Sequence, residues 1–375
     1  MVSPFYLTFL GINPHESVKI MAMDFKSLFN QYLEVITRFV PRPQQLPVLG
    51  IDIGTSTVRA VEISPAGVGF EIRLWAVEAI QGGDVKATLS QLIKKTDYAG
   101  QALITSVSGK GTLIRYIDMP RMPLDDLRRS FVYDLDKYFP FDPQNIYTDC
   151  FILDPSNADK RMSVLVVAVK KEIVDDRLKL FKDLGLKLED ITTDAVAIAN
   201  AFARLGPQAA GPANDGARAI LDIGEDVSNL IILKDMSPRF TRDIFVGGRE
   251  MTKQIAHGLG VDESEAEAIK KAPGERLDAM LAACEGPIAN LIEEIRLSLD
   301  YFMTEKNIQV GEFFLLGGGS LLKGIEGVFE KNLGIPVKVW DPVAGLQLSP
   351  SVASSDIHLS SSQLGVAIGL GLSKI

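Results

Sequence analysis

Two aspartates in this 375-residue chain sit in matching surroundings. Asp52 closes an apolar run of Val48, Leu49, Ile51 and Ile53. Gly54, Thr55, Ser56 and Thr57 follow it, and then a second apolar run through Val58, Val61 and Ile63. Alternating apolar runs around a short turn predict a hairpin. A carboxylate at its end is costly to bury without a cation or donors. Gly54 lets backbone approach a ligand closely, and the hydroxyls and consecutive N–H groups of Thr55 to Thr57 suit phosphate oxygens. Alone, the stretch reads better as an ordinary hairpin with a polar turn. Asp222 repeats it: a strand ends in Asp222-Ile223-Gly224, a polar turn carries Ser228 as its hydroxyl, and Leu230 to Leu233 return. Two such hairpins imply two similar half-domains facing one cleft. A third piece, Phe313 to Leu316 followed by Gly317, Gly318, Gly319 and Ser320, joins a strand to a helix. Such a junction offers helix N-terminal N–H groups without side-chain bulk.

In this order the three motifs resemble those of the ATPase superfamily that contains actin, the heat-shock chaperones and hexokinase. Asp52 to Thr57 is similar to its first phosphate motif, Asp222 to Ser228 to its second, and Gly317 to Ser320 to its adenosine motif. The resemblance implies an α/β, actin-like fold: a duplicated ribonuclease H-like core in two lobes. ATP and Mg²⁺ would lie between them, with Asp52 and Asp222 holding the metal through waters. It leaves open a sugar kinase, a chaperone, a filament and an assembly scaffold.

Composition narrows the classes. A net charge of −9 without a dense Lys/Arg run argues against general nucleic-acid binding. The pairs Lys94-Lys95, Arg128-Arg129, Lys170-Lys171 and Lys270-Lys271 read as solvated helix faces. Cys150 and Cys284 are too few for a disulfide framework and fit a reducing compartment. His15, His257 and His358 are too scattered for a histidine metal site. No stretch approaches the roughly 20 apolar residues that span a bilayer, and the first residues lack the basic segment of a signal peptide. A cytoplasmic protein is expected.

The elements that position the motifs follow from periodicity. Residues 1–47 form an N-terminal extension, with Met21 and Met23 as alternative starts. In it Asp24 caps an amphipathic helix through Val40, which mixes Lys26, Glu34 and Arg38 on its polar face and so suits docking on protein more than on a membrane. Residues 48–112 are the core of the first lobe, adding a strand at Ile72–Ile80, a helix at Asp84–Lys95 and a strand at Gln101–Ser106. Residues 113–192 read as a small inserted α/β subdomain. It has a strand at Leu113–Ile117, one helix along Leu124–Tyr138, strands at Ile146–Leu153 and Met162–Val169, and a helix from Lys171 that Gly185 ends. Residues 193–216 are a connecting helix and a Gly/Pro/Ala linker, 217–345 the second lobe, and 346–375 a return to the first lobe. Within the second lobe Asp262 caps Glu263–Lys271, where Glu267 and Lys270 stand one helical turn apart.

The inserted segment narrows the resemblance. Met119-Pro-Arg-Met-Pro123, Tyr138-Phe-Pro-Phe141, Val164 to Glu172, Leu184 to Lys187, Asp194 to Phe202 and Glu294 to Phe302 resemble the PilM family of type IV pilus assembly proteins. The resemblance runs over nearly everything from Val48 onward. Only an Ala-Pro frequent in the family near Ser361-Ser362-Gln363 is missing. It implies an inserted subdomain of the type seen in FtsA. It implies nucleotide contacts from Gly54, Thr55, Ser56, Thr57, Gly224, Ser228, Gly317, Gly318, Gly319 and Ser320, with Glu267 and Lys270 facing ribose and adenine. For those last two an exposed ion pair is the competing reading. It further implies a cytoplasmic ATP-binding scaffold, peripheral to the inner membrane through partners. That scaffold would bind the N-terminal tail of a PilN-like inner-membrane protein in a groove near the inserted subdomain, with slow or absent ATP turnover. Apolar residues on that subdomain's helix, such as Phe131 and Leu135, read mainly as core. No residue has the context of a general base, although Asp190 or Asp194 could lie at the cleft. Two alternatives stay open. A sugar or acetate kinase needs a carboxylate at an acceptor hydroxyl, and no sugar-pocket motif is present. An FtsA-like filament protein usually ends in a basic amphipathic helix, where this chain has Gly369 to Ile375.

Overall fold

The computed structural model describes residues 46–375 apart from 97, 99, 132–133, 155–159, 208–215 and 353. The expected helix at Asp24–Val40 and most of the expected linker lie outside the described residues.

The first sheet is built on the Asp52 hairpin, β1 (Val48–Ile53) and β2 (Thr57–Ala66). It continues outward through β3 (Gly69–Ala79) and inward, after helix α1 (Val85–Lys95), to β4 (Ala102–Val107). β1 pairs antiparallel with β2 and parallel with β4. It is apolar on both faces because both are covered: Leu49 and Ile51 pack with Leu89 and Leu92 of α1, and Val48 joins the cluster on the opposite side.

The chain then leaves for a separate three-stranded sheet. β5 (Thr112–Pro120) leads to helices α2 (Leu124–Phe131) and α3 (Leu135–Tyr138), then β6 (Ile146–Ile152) and β7 (Arg161–Lys170), in the order β5-β7-β6. The single helix expected along Leu124–Tyr138 is thus described as two pieces. Phe131 and Leu135 are buried among Met162, Val164 and Val166 of that sheet and are core residues. Helix α4 (Lys171–Asp183) follows, and then β8 (Leu188–Thr193). β8 corrects the sequence reading of 113–192 as one inserted unit, because it pairs in parallel with β4 at the edge of the first sheet. Its mixed sequence, Leu-Glu-Asp-Ile-Thr-Thr, carries no alternation to announce a strand. Burial of Leu188 and Ile191 against the first-lobe cluster decides it.

Helix α5 (Asp194–Leu205) crosses to the second sheet, where β9 (Ala217–Ile223) and β10 (Ser228–Lys234) form the Asp222 hairpin. β11 (Ser237–Ile244) follows, then α6 (Gly248–Leu259), α7 (Glu263–Lys271), the long α8 (Leu277–Lys306), β12 (Val310–Leu316), α9 (Ile325–Leu333) and β13 (Val337–Val339). The strand orders β3-β2-β1-β4-β8 and β11-β10-β9-β12-β13 are the same pattern written twice, with β14 (Gln347–Leu348) added at the edge of the first. After α10 (Ser354–Ser360) the chain ends in α11 (Gly365–Leu372), which returns to β1 and α5. Small residues make that return possible. A Cβ on Gly50 of β1 would overlap the Ala367 carbonyl oxygen, and one on Gly369 would overlap that of Ala197 in α5. Both lobes therefore hang from closely packed backbone directly behind the Asp52 strand.

Candidate functional site

The first hairpin delivers its polar groups to a cleft. Gly54 N–H donates to the Thr57 carbonyl at 3.0 Å and closes the turn, while the Ser56 carbonyl accepts from Ile80 N–H at 2.7 Å. This holds Gly54, Thr55 and Ser56 along the wall of a cavity of about 350 Å³. Thr57 lines an adjoining cavity of about 320 Å³, and its buried hydroxyl has no partner. Asp52 is 5% exposed and meets Arg59, its cross-strand neighbour, in an ion pair of 2.7 Å.

The second hairpin faces the first. Asp222, Gly224, Glu225, Asp226 and Val227 line the 350 Å³ cavity from the other side. The N–H groups of Gly248 and Arg249 donate to the carbonyls of Gly224 and Glu225, both at 2.9 Å, and fasten this turn to the start of α6. Its side chains are acidic. Arg249 pairs with Glu225 at 2.9 Å and with Asp226 at 2.5 Å, and its hydrogen bond holds Asp226 below the usual carboxylate range. This turn thus offers an anion its backbone and no hydroxyls, and Arg249 offsets the repulsion of its two carboxylates. Ser228, expected as the hydroxyl of the motif, is buried at the first position of β10 and donates to the Val246 carbonyl at 2.6 Å. It lines neither cavity.

The glycine segment is also arranged differently from expectation. Gly317 to Ser320 do not open a helix: they form a short 3₁₀ turn, and α9 begins only at Ile325. Gly317, with φ of +80°, packs so closely on Asp222 that a Cβ would overlap its Oδ1, and Gly317 N–H donates to the Ser362 carbonyl at 2.8 Å. Ser320 is buried and donates to the Gly317 carbonyl at 2.7 Å. Only Gly318 and Gly319 reach the 320 Å³ cavity. Across it stand Glu267 and Lys270 of α7, paired at 2.5 Å. The Thr252 hydroxyl donates to Glu267 at 2.8 Å, and Lys270 also donates to Thr252 at 2.6 Å and to the Gly248 carbonyl at 3.2 Å. Desolvation alone would raise Glu267, but Lys270 and Thr252 hold it below its ordinary value. The pair is thus half-buried, and it faces the cavity beside Gly318 and Gly319.

The cleft is rich in carboxylates. Desolvation, then the charges of Asp52 and Asp194, push Asp222 up to about 7. Desolvation and the Asp52 charge raise Asp194, the first residue of α5, and desolvation with Asp194 pushes Asp243 up to about 6. Among the described residues, no group of three or more His, Cys, Asp or Glu side chains is placed to hold a metal ion. Of the two aspartates considered as possible cleft acids, Asp194 lines the cavity, whereas buried Asp190 faces Lys374 at 3.5 Å. The sequence reading missed Arg59, Arg177, Thr252 and Gln363, which also line or brace the cleft. Arg59 was within reach, since a tight hairpin places it opposite Asp52; the other three come from distant elements with no local signal.

Two duplicated sheets, hairpins that face each other and an inserted third sheet define an actin-like two-lobe α/β protein. The family described as Type IV pilus assembly protein PilM matches residues 50–375, and the chain belongs to that family. Among solved structures it is similar to the PilM-PilN type IV pilus biogenesis complex, with a TM-score of 0.76 and 25% identity over 88% of this chain and 98% of that one. It also shares its fold with the ethanolamine utilization protein EutJ from Carboxydothermus hydrogenoformans, with a TM-score of 0.50 and 15% identity over 93% of this chain and 99% of that one. Among the described residues no helix is long and apolar enough to cross a membrane.

Proposed function

We propose that this chain is an ATP-binding scaffold of type IV pilus assembly that takes the N-terminal cytoplasmic tail of a PilN-like inner-membrane protein. The partner half rests on the likeness, over 88% of the chain, to a PilM solved together with PilN. The nucleotide half rests on two adjoining cavities that share Ser56, Arg59, Gly224 and Glu225 and so form one continuous site. Each is of the size that small ligands fill. Unpartnered buried atoms, Thr57 Oγ1 among them, fit a polar ligand better than an empty cleft.

The nucleoside takes the 320 Å³ cavity, where Glu267 accepts from ribose and Gly318 and Gly319 leave room for the base. The phosphates take the other cavity, between Gly54–Ser56 and Gly224. Mg²⁺ keeps most of its waters and needs only one or two carboxylates besides phosphate, so Asp52 and Asp222 suffice without a cluster of three. A bound ion would supply positive charge against the phosphates, and Arg59, paired with Asp52, would help to hold that carboxylate in place. In this reading ATP turnover is slow or absent, and no cleft residue is assigned as a general base. A scaffold needs none, because different affinities for two lobe arrangements transmit occupancy. The PilN-like tail lies at the root of the inserted sheet, in a cavity of about 200 Å³ between β5 and β11 lined by Leu113, Ile114 and Phe245. Phe245 is 54% exposed there. The protein sits on the cytoplasmic side, held to the inner membrane by that partner.

The test is calorimetric titration with ATP and Mg²⁺, then with a peptide of the PilN-like N-terminus, with and without nucleotide. Asp52→Ala is expected to abolish the Mg²⁺-dependent part of ATP affinity in a folded protein, and Phe245→Ala to weaken the peptide alone. Unchanged ATP affinity in Asp52→Ala would remove Asp52 from the site. ATP binding without peptide binding would replace the scaffold by a kinase and call for a screen of acceptor hydroxyls.

A further inference from the structure

Arg177 is a cleft residue that no nucleotide motif of the sequence accounts for. It lies on α4, the helix between the inserted sheet and the first-lobe sheet. With Ile173, one turn earlier on the same face, it lines the 350 Å³ cavity beside Asp52, Asp194 and Gly54–Ser56. Its Nη1 is sealed from solvent and has no hydrogen-bond partner. The carboxylates Asp194 and Asp52 act on it electrostatically, yet among the described residues it closes no ion pair with either. A buried guanidinium N–H left unmade is costly, and guanidinium is shaped for phosphate oxygens. Its position also puts it on the phosphate side of the site. Glu267, Lys270, Gly318 and Gly319 line the other cavity, and Arg177 does not. A nucleotide with its nucleoside there meets Arg177 with its phosphate chain, not with its base or ribose.

The rest of α4 is committed elsewhere. Val174 and Phe181 are buried in one cluster with Leu165, Val167 and Val169 of β7 and with Leu49 and Ile51 of β1. On another face the Tyr147 hydroxyl of β6 donates to Asp175 at 3.1 Å, and Lys171 lies 5.5 Å over the Tyr147 ring. One rigid helix thus touches the cleft with Arg177 and the inserted sheet with Asp175, Lys171 and Val174.

We propose that Arg177 reads the terminal phosphate of the bound nucleotide and, through α4, passes its presence to the inserted sheet. This rests on the nucleotide reading above. It makes the chain an ATP-versus-ADP sensor whose output is the seating of the inserted sheet, beside which the partner tail docks. No bond is made or broken: a phosphate oxygen accepts from Nη1, and the helix shifts with the side chain.

The experiment titrates the full chain and its Arg177→Met and Arg177→Lys variants with ATP and with ADP in Mg²⁺. The wild type is expected to prefer ATP. Arg177→Met should lose roughly tenfold or more of ATP affinity while ADP affinity stays within about twofold, and Arg177→Lys should recover part of the loss. Equal effects on ATP and ADP, or none, would make Arg177 a structural counter-ion and overturn the proposal. A wild type that binds neither nucleotide would overturn the nucleotide reading itself, a result distinct from the variant pattern. Amide hydrogen exchange on the wild type needs no variant to fold. ATP should protect α4 and β6 more than ADP does, and Tyr147→Phe should remove that difference in β6 while leaving ATP affinity unchanged. Identical exchange with ATP and ADP would again sink it.

Discussion

The two hairpins place an aspartate at the same point and give it different company. Asp52 stands across from Arg59 in the β1–β2 register, and Asp222 across from Asn229 in the β9–β10 register. The guanidinium makes an ion pair with the first. The second meets the Asn229 amide, and desolvation, then the charges of Asp52 and Asp194, push it up to about 7. The turns differ as well: Gly54-Thr55-Ser56 is neutral and hydroxylated, while Gly224-Glu225-Asp226 is acidic and pinned by Arg249. Two residues before each aspartate, β1 has Gly50 under α11, whereas β9 has Ile220 packed with Phe314. A duplicated backbone therefore need not carry duplicated chemistry. One hairpin holds its aspartate in an ion pair, and the other leaves its aspartate with a raised affinity for a proton.

Swapping residues between the hairpins breaks this comparison where it is strongest. Gly50→Ile puts the second hairpin's residue into the first, against the Ala367 carbonyl. Urea unfolding should show a loss of about 3 kcal/mol or more, beyond ordinary overpacking because backbone must move. An unchanged midpoint would mean that α11 does not seat on β1. Arg59→Asn gives Asp52 the company that Asp222 has. With the pair 17% and 7% exposed, the stranded carboxylate should cost about 2–3 kcal/mol at neutral pH. Adding Asp52→Asn should return most of it, and a double-mutant cycle without coupling would dissolve the asymmetry.

The third prediction sharpens the other side. Asp222 has its folded value raised to about 7, above its ordinary 3.8. Below that ordinary value both folded and unfolded chains hold the proton, and burial carries no charge penalty. As pH rises toward 7 the unfolded chain releases the proton first, so stability of the nucleotide-free protein falls, then levels off. Asp243, at about 6, adds in the same direction. With the two values about three units apart, the drop from Asp222 should be roughly 4 kcal/mol, and Asp222→Asn should flatten most of it. A variant with the full wild-type slope would show that Asp222 is ionised throughout.

Much of this was legible before folding. Alternating apolar runs around Asp-Ile-Gly sufficed for both hairpins, and helical spacing brought Glu267 and Lys270 together. What escaped shares one cause. Ser228 looked like a turn hydroxyl, but one step of strand parity turns it inward to Val246. Gly317 and Ser320 looked like ligand contacts, yet Asp222 and a local turn occupy them. β8 lacked alternation because its partner strand, not its own pattern, defines its faces.

The sequence by itself determined both hairpins, most of the other elements, the duplication and the residue types at each turn, because periodicity and turn chemistry act over a few residues. Tertiary structure alone decided which groups share the cleft. Arg177 arrives from the inserted segment, Asp194 from the crossing helix, and Thr252 and Gln363 from elements far apart in the chain. Desolvation and charge proximity depend on distance in space, so the raised Asp222 and the unpartnered Arg177 exist only once both sheets have closed on one another.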